Sequence, residues 1–184
     1  MKRPRKHVIW MLLLVIGTTL GGAWQFHHVN RHVILKPVVE QRVYPWRWGG
    51  SQKAPFKVLT ASQRTVADGK EVTIHLLLGN LQLANYGFHA KNLNLIEDMW
   101  LNIPYGISNQ SRGMQHPNGR YYTEKELHRS TNKDVTLRFS VIPNSYRYRL
   151  QPARFSFLVP ERPNQFVKYS VMLDLTHDGS VLAS

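Results

Sequence analysis

There is no cysteine anywhere in the 184 residues. Disulfides, thiolate nucleophiles and cysteine metal ligands are excluded outright. Lipid attachment of the lipoprotein kind is excluded with them. The common catalytic signatures are missing too. There is no Gly-x-Ser-x-Gly elbow, no phosphate-binding glycine loop, no dinucleotide fingerprint and no His-Glu-x-x-His zinc helix. Acidic residues are scarce, 11 Asp and Glu against 24 Lys and Arg, for a formal net charge of +13. No internal repeat is present. Beyond the first two dozen residues, no stretch has the period of a long amphipathic helix.

What is present begins with Val8 to Ala23, VIWMLLLVIGTTLGGA, sixteen residues without a charge. At 1.5 Å per residue they make a helix of about 24 Å. That is short of the roughly 30 Å hydrocarbon core. Trp24 and Phe26 extend it, so residues 8–26 are the expected transmembrane helix. Trp10 and Trp24 lie near its ends, where aromatic rings prefer the interface. Residues 1–7 carry Lys2, Arg3, Arg5 and Lys6. The positive-inside rule then places the N-terminus in the cytoplasm and residues 25–184 outside, on a single-pass anchor. The alternative is a signal peptide cleaved after the small residues Gly21, Gly22 and Ala23, which would give a secreted protein. Both readings export the same segment.

That segment has the length of one domain. Its lack of disulfides fits a Gram-positive envelope. It keeps 20 Lys and Arg against 11 Asp and Glu. Such an excess attracts polyanions, which outside a bacterium are lipid headgroups and anionic wall polymers. Nucleic acid is set aside, being relevant only to DNA uptake or conjugation. Simple solubility explains the same charge, and the basic residues are scattered.

Residues 27–55 mix charge with Pro37, Pro45, Gly49, Gly50 and Pro55 and read as a stalk. His28 and His32 share a helical face, and with His27 they are candidate metal donors. No carboxylate or cysteine completes the set, so no metal is expected. Trp46 and Trp48, in YPWRWGG, alternate onto one face of an extended segment. Core packing of the two rings is the first expectation. A membrane-interface contact and a sugar or protein-partner platform are the others.

From Phe56 onward the pattern is that of strands. FKVLTASQRTV leads to Asp68-Gly69, a two-residue hairpin signal. In EVTIHLLL, Val72, Ile74, Leu76 and Leu78 alternate toward a core. His75 falls on the opposite face. Asn92 to Ile103 fits a strand bounded by turn residues, although Ile96, Met99 and Trp100 also fit a helical face. Residues 104–134 form a long polar loop, either functional or poorly ordered. Glu124 to Glu126 suit a single helical turn. Glu126 and His128 are a conceivable acid–base pair, outweighed by ordinary solvated charge. Glu97 and Asp98 point apart on a strand and make no paired-carboxylate site. Strands resume at Val135–Ile142, Tyr146–Leu150, Arg154–Val159 and Gln165–Leu175, and Asp178-Gly179 turns the last residues back. The expected core includes Val72, Ile74, Leu76, Leu137, Phe139, Val171 and Leu173. Arg147 and Arg149 project from one face of their strand. With Lys168 they are the candidate contacts to an anionic surface.

An alternating strand, Val72 to Leu78, runs into Gly79-Asn80, and a later long strand closes the sheet, behind a span and a short stalk. This arrangement resembles the immunoglobulin-like accessory domains of Gram-positive cell-surface proteins, over roughly residues 56–175. The resemblance implies an all-β fold, an immunoglobulin-like β-sandwich at residues 56–184 behind the single helix. It carries no functional residues. The expected function is a non-catalytic, membrane-anchored binding or scaffold module without cofactor or small-molecule substrate. Its partner would be an anionic envelope polymer or another envelope protein. The alternative is a subunit of an envelope machine for secretion, conjugation or division.

Overall fold

The structure, a computed structural model, describes residues 6–30, 38–86, 95–103, 109–142, 152–162, 165–176 and 178–182. The chain divides into two compact units, Met1–Pro37 and Val38–Ser184.

In the first unit, helix α1 runs from Lys6 to Asn30. Its window Val8–His28, 21 residues, is long and apolar enough to cross a membrane. At 1.5 Å per residue it spans about 31 Å, the thickness of a hydrocarbon core. The helix thus outruns the uncharged run because Trp24, Gln25, Phe26, His27 and His28 continue it. Its two threonines do not leave hydroxyls unsatisfied in an apolar setting. Thr18 Oγ1 donates to the Leu14 carbonyl at 3.0 Å, and Thr19 Oγ1 to that of Val15 at 2.8 Å.

The second unit is built from two β-sheets. One has the order β1-β8-β7-β4-β5, the other β6-β3-β2-β9. Their strands are β1 (Val39–Arg42), β2 (Phe56–Val66), β3 (Gly69–Leu78), β4 (Met99–Asn102), β5 (Asn109–Gln110), β6 (Lys133–Val141), β7 (Ala153–Arg162), β8 (Gln165–Leu173) and β9 (Gly179–Ser180). Phe56 of β2 joins the two inner faces. Its ring meets Phe155, Phe157 and Tyr169 of the other sheet edge-on, at centroid distances of 6.3, 5.3 and 6.1 Å. Edge-to-face rings at these distances add attraction beyond their burial. Val72, Ile74, Leu76, Leu137, Phe139, Val171 and Leu173 are all buried, as their alternation predicts. A period of two puts every second side chain of β3, β6 and β8 on the same face.

Several expectations need correction. The stalk assigned to residues 27–55 does not extend through them. β1 pairs in parallel with β8, Val39 opposite Val167 and Arg42 opposite Ser170, and Val43 and Ala54 are buried. The β-domain therefore begins at Val38. The β2–β3 turn is Ala67-Asp68, one residue earlier than expected, with Val66 opposite Gly69. Gly69 closes it at φ +142°, a backbone open to glycine and costly for other residues. Between Leu95 and Asp98 the chain forms a 3₁₀ turn, and the strand β4 begins only at Met99. The two polar carboxylates there compete with strand pairing, while Leu95 turns into the core. The Tyr146–Leu150 strand lies outside the described residues.

Two segments close the open sides between the sheets. On one side, residues 43–49 cross from β8 to β2. Val43 N donates to the Ser170 carbonyl at 2.8 Å, Trp46 N to that of Val58 at 2.9 Å, and Gly49 pairs with Phe56. On the other, residues 109–115 cross from β4 to β6. β5 pairs with β4, then the Arg138 amide donates to Ser111 Oγ at 3.2 Å. Gln115 and Thr136 exchange both backbone bonds, at 3.0 and 2.7 Å. β9 is fixed beside β2 by Asp178, which accepts from the Thr65 amide and from Gln63. Those bonds, the Thr65 ones foremost, hold the Asp178 carboxyl down to about 2.

Candidate functional site

Among the described residues of the β-domain, the first crossing segment carries the most exposed aromatic surface. Tyr44, Trp46 and Trp48 are 52%, 62% and 50% exposed, so core packing of the tryptophans, the first expectation, does not occur. The cause is local. Val43 and Ala54 fill the interior at this point, and the chain turns outward between them. Trp46 sits at φ +66°, a left-handed conformation that bulky residues avoid. The Trp46–Val58 hydrogen bond and the Arg47 amide bond to the Tyr44 carbonyl at 3.3 Å hold it there. Arg42 lies over the Tyr44 ring at 5.2 Å, and Lys57 over Trp48 at 5.1 Å. Val38 and Val39, earlier in the same stretch of chain, are exposed as well. Among the described residues no carboxylate pairs with Arg42, Arg47 or Lys57.

The second crossing segment belongs to the stretch expected as a long polar loop, either functional or poorly ordered. Residues 109–134 are instead locally built. Thr123 and Glu126 form a capping box at the start of α2 (Glu124–Leu127). Glu126 also takes both Arg120 nitrogens, at 2.6 and 3.2 Å. The Arg120 fork and the Thr123 bonds keep its carboxyl far below the usual range. His128 Nδ1 faces the Glu124 carbonyl at 2.8 Å. Of the conceivable Glu126–His128 pair, Glu126 is engaged by Arg120 and Thr123, and His128 by the Glu124 carbonyl. His116 stacks on Tyr122 with centroids 3.6 Å apart, and Met114 and Leu127 are buried beneath.

Between this segment and β3 and β6 lies a cleft of about 150 Å³, lined by Glu71, Ser111, Arg112, Gln115, Tyr121 and Arg138 among others. Glu71 is held by Arg64 at 2.7 Å and Arg138 at 3.5 Å. Arg112 and Arg138 both line the cleft with that carboxylate. The cleft suits a small anionic or hydroxyl-rich group. Sequence reasoning missed it because β3 and the 109–115 segment meet only through β6, and no local spacing reports that.

A third feature is buried polarity near the 3₁₀ turn. Among the described residues the Tyr86 hydroxyl has no hydrogen-bond partner, and its ring stacks on Phe157 at 6.3 Å. Burial, then the Asp98 charge, raises its pKa well above the usual value. Burial and the adjacent Glu97 push the Asp98 carboxyl up to about 6. A raised acid destabilises the fold once it ionises, so stability falls as pH rises from about 4 through 6. Asp98 is half-buried, and solvent screening reduces the effect. Asp98→Asn is expected to raise the unfolding free energy by about 1 kcal/mol near pH 7.5 and to leave it unchanged near pH 4. Urea midpoints at the two pH values check this.

Of the expected anionic-surface contacts, Lys168 lies on β8 and is committed internally. Its Nζ is 3.6 Å from Glu40, whose other oxygen takes Arg154 at 3.2 Å and the Ser170 hydroxyl at 2.6 Å. Arg147 and Arg149 lie outside the described residues, as does His32. Among the described residues no group of His, Asp and Glu is placed to hold a metal.

Comparison with protein-family models, curated proteins and solved structures gives no match.

Proposed function

We propose that the chain is a membrane-anchored, extracytoplasmic binding or scaffold module of a bacterial envelope, acting without catalysis. The observation that supports it is the order of the two units. A helix of membrane-spanning length with a basic flank precedes a β-domain that begins only eight residues after it. The immunoglobulin-like reading of that domain draws on one detail, the first strand pairing in parallel with the last long one. It has a counterweight, since β2 and β3 pair as a hairpin within one sheet rather than dividing between sheets. A subunit role in an envelope machine fits the same topology, through the 109–134 segment as a protein contact. An anionic wall polymer fits the excess charge, with Arg147 and Arg149 as its contacts and Lys168 as an unfavoured one.

Protease added to intact cells is expected to digest the β-domain and leave a fragment of α1 in the membrane fraction. Full protection of the domain would overturn the topology. A mature form in the culture fluid beginning near Trp24 would overturn the anchor while keeping the export.

A further inference from the structure

We infer that the Tyr44–Trp48 segment is a lipid-docking site, which seats the β-domain on the anionic surface of the bilayer that holds α1. The inference rests on the anchor reading above and goes beyond it, because a tethered domain need not touch the membrane.

Composition is the first argument. Three aromatic rings within five residues stand half or more exposed, beside exposed Val38 and Val39. Soluble surfaces carry single exposed apolar residues routinely, but rarely a continuous run of them. Tryptophan and tyrosine are the side chains that favour the headgroup layer, with ring in the boundary and polar edge toward water. Trp46 is held outward at φ +66°, a conformation that costs stability and gains the β-domain no burial of the ring.

Charge is the second. Arg42 and Lys57 lie over the faces of Tyr44 and Trp48, and Arg47 stands between the tryptophans. The acid nearest in sequence, Glu40, is neutralised by Arg154 and Lys168. Cations interleaved with aromatics complement phosphate headgroups. A neutral sugar could use the same rings and donors but would gain nothing from their positive charge.

Position is the third. Eight peptide steps separate Asn30, the last residue of α1, from Val38, a covalent reach of at most about 29 Å. The chain enters the β-domain at the end of the sheets where β7 turns into β8, with Val39 opposite Val167. Ser51 Oγ donates to the Pro160 carbonyl at that same end, at 3.4 Å, and Gly49 pairs with Phe56. The aromatic segment therefore adjoins the end that the tether holds.

The absence of cysteine makes a clean test available. Gln52→Cys, beside the segment, and Asp68→Cys, at the β2–β3 turn at the opposite end, each accept one environment-sensitive fluorophore on the full chain. The labelled proteins are reconstituted into vesicles of phosphatidylcholine with or without phosphatidylglycerol, and acrylamide quenching is measured. Docking at the headgroup layer predicts about threefold weaker quenching at position 52 than at 68 with phosphatidylglycerol present. The protection is expected to shrink in high salt or in phosphatidylcholine alone, and to vanish in Trp46→Ala/Trp48→Ala. Equal quenching at the two positions, or protection that survives the double substitution, overturns the proposal and leaves the aromatic segment to a protein or glycan. Vesicle flotation of the same samples separates the two readings. A chain that does not float removes the anchor and the docking together, whereas one that floats with equal quenching removes the docking alone. An unchanged thermal midpoint of the double variant shows that lost protection is not lost folding.

Discussion

The Phe56→Ala variant is expected to lose about 3–5 kcal/mol of unfolding free energy, the range for truncating a buried phenylalanine. That is a large share of the 5–15 kcal/mol typical of a domain. The size follows from position. Phe56 is fully buried, and its ring is the point where β2 meets Phe155, Phe157 and Tyr169 of the opposite sheet. Truncation leaves a cavity bounded by three rings on β-strands, whose backbones are fixed by pairing and collapse poorly into it. The Gly49 and Phe56 backbones also pair, so the crossing segment loses the support of the ring beneath it. Lys57→Ala, one residue along and pointing outward, is expected to change stability by less than about 0.5 kcal/mol. Urea titration of both variants checks the contrast. Equal midpoints would show that Phe56 does not join the sheets.

The second large effect concerns where the domain starts. A chain beginning at Phe56, the boundary that hydropathy patterning suggests, is expected not to reach a stable fold. A chain beginning at Val38 is expected to fold. The shorter one lacks β1, which covers one edge of β8, and the buried side chains of Val43 and Ala54. It also lacks the amides of Val43 and Trp46, which satisfy the carbonyls of Ser170 and Val58. Burial of Val43 and Ala54 alone contributes about 2–3 kcal/mol, before the lost pairing is counted. Circular dichroism and heat-capacity scans of the two chains decide it. A cooperative transition in the chain from Phe56, at the same temperature as in the longer one, would refute the boundary.

These two predictions show which kinds of information the sequence carried. The core of β3, β6 and β8 was legible because alternation encodes the buried face directly, and Val72, Leu137 and Val171 fell where it put them. Helix α1 was legible from its lack of charge, and the expected span, residues 8–26, falls two residues short of the apolar window that ends at His28. Residues 38–55 were misread because their order comes from distant partners. Val43 meets Ser170 and Trp46 meets Val58, pairings that prolines and glycines in the local text conceal. The tryptophans of YPWRWGG stood out by composition, but alternation suggested packing inward. A positive φ at Trp46, which no pattern announces, turns that ring out. Residues 109–134 read as polar, and as either functional or poorly ordered. Their order rests on a helical turn that the sequence did suggest, and on a capping box, an Arg120–Glu126 fork and a Gln115–Thr136 bridge that it did not. The cleft beside Glu71 joins residues 67 positions apart, from Glu71 to Arg138, and no reading of local pattern finds it.

The two crossing segments have a consequence for the meeting of one copy with another. At high local concentration, neighbouring copies of any β-domain come edge to edge often. A long unpaired strand there would recruit the next copy and seed a growing ribbon. In this domain the outermost strands are short, four residues in β1 and two each in β5 and β9. The nine-residue β6 has its outer margin engaged by Ser111 and Gln115. Crowded copies of this domain can therefore jostle side by side without pairing strand to strand.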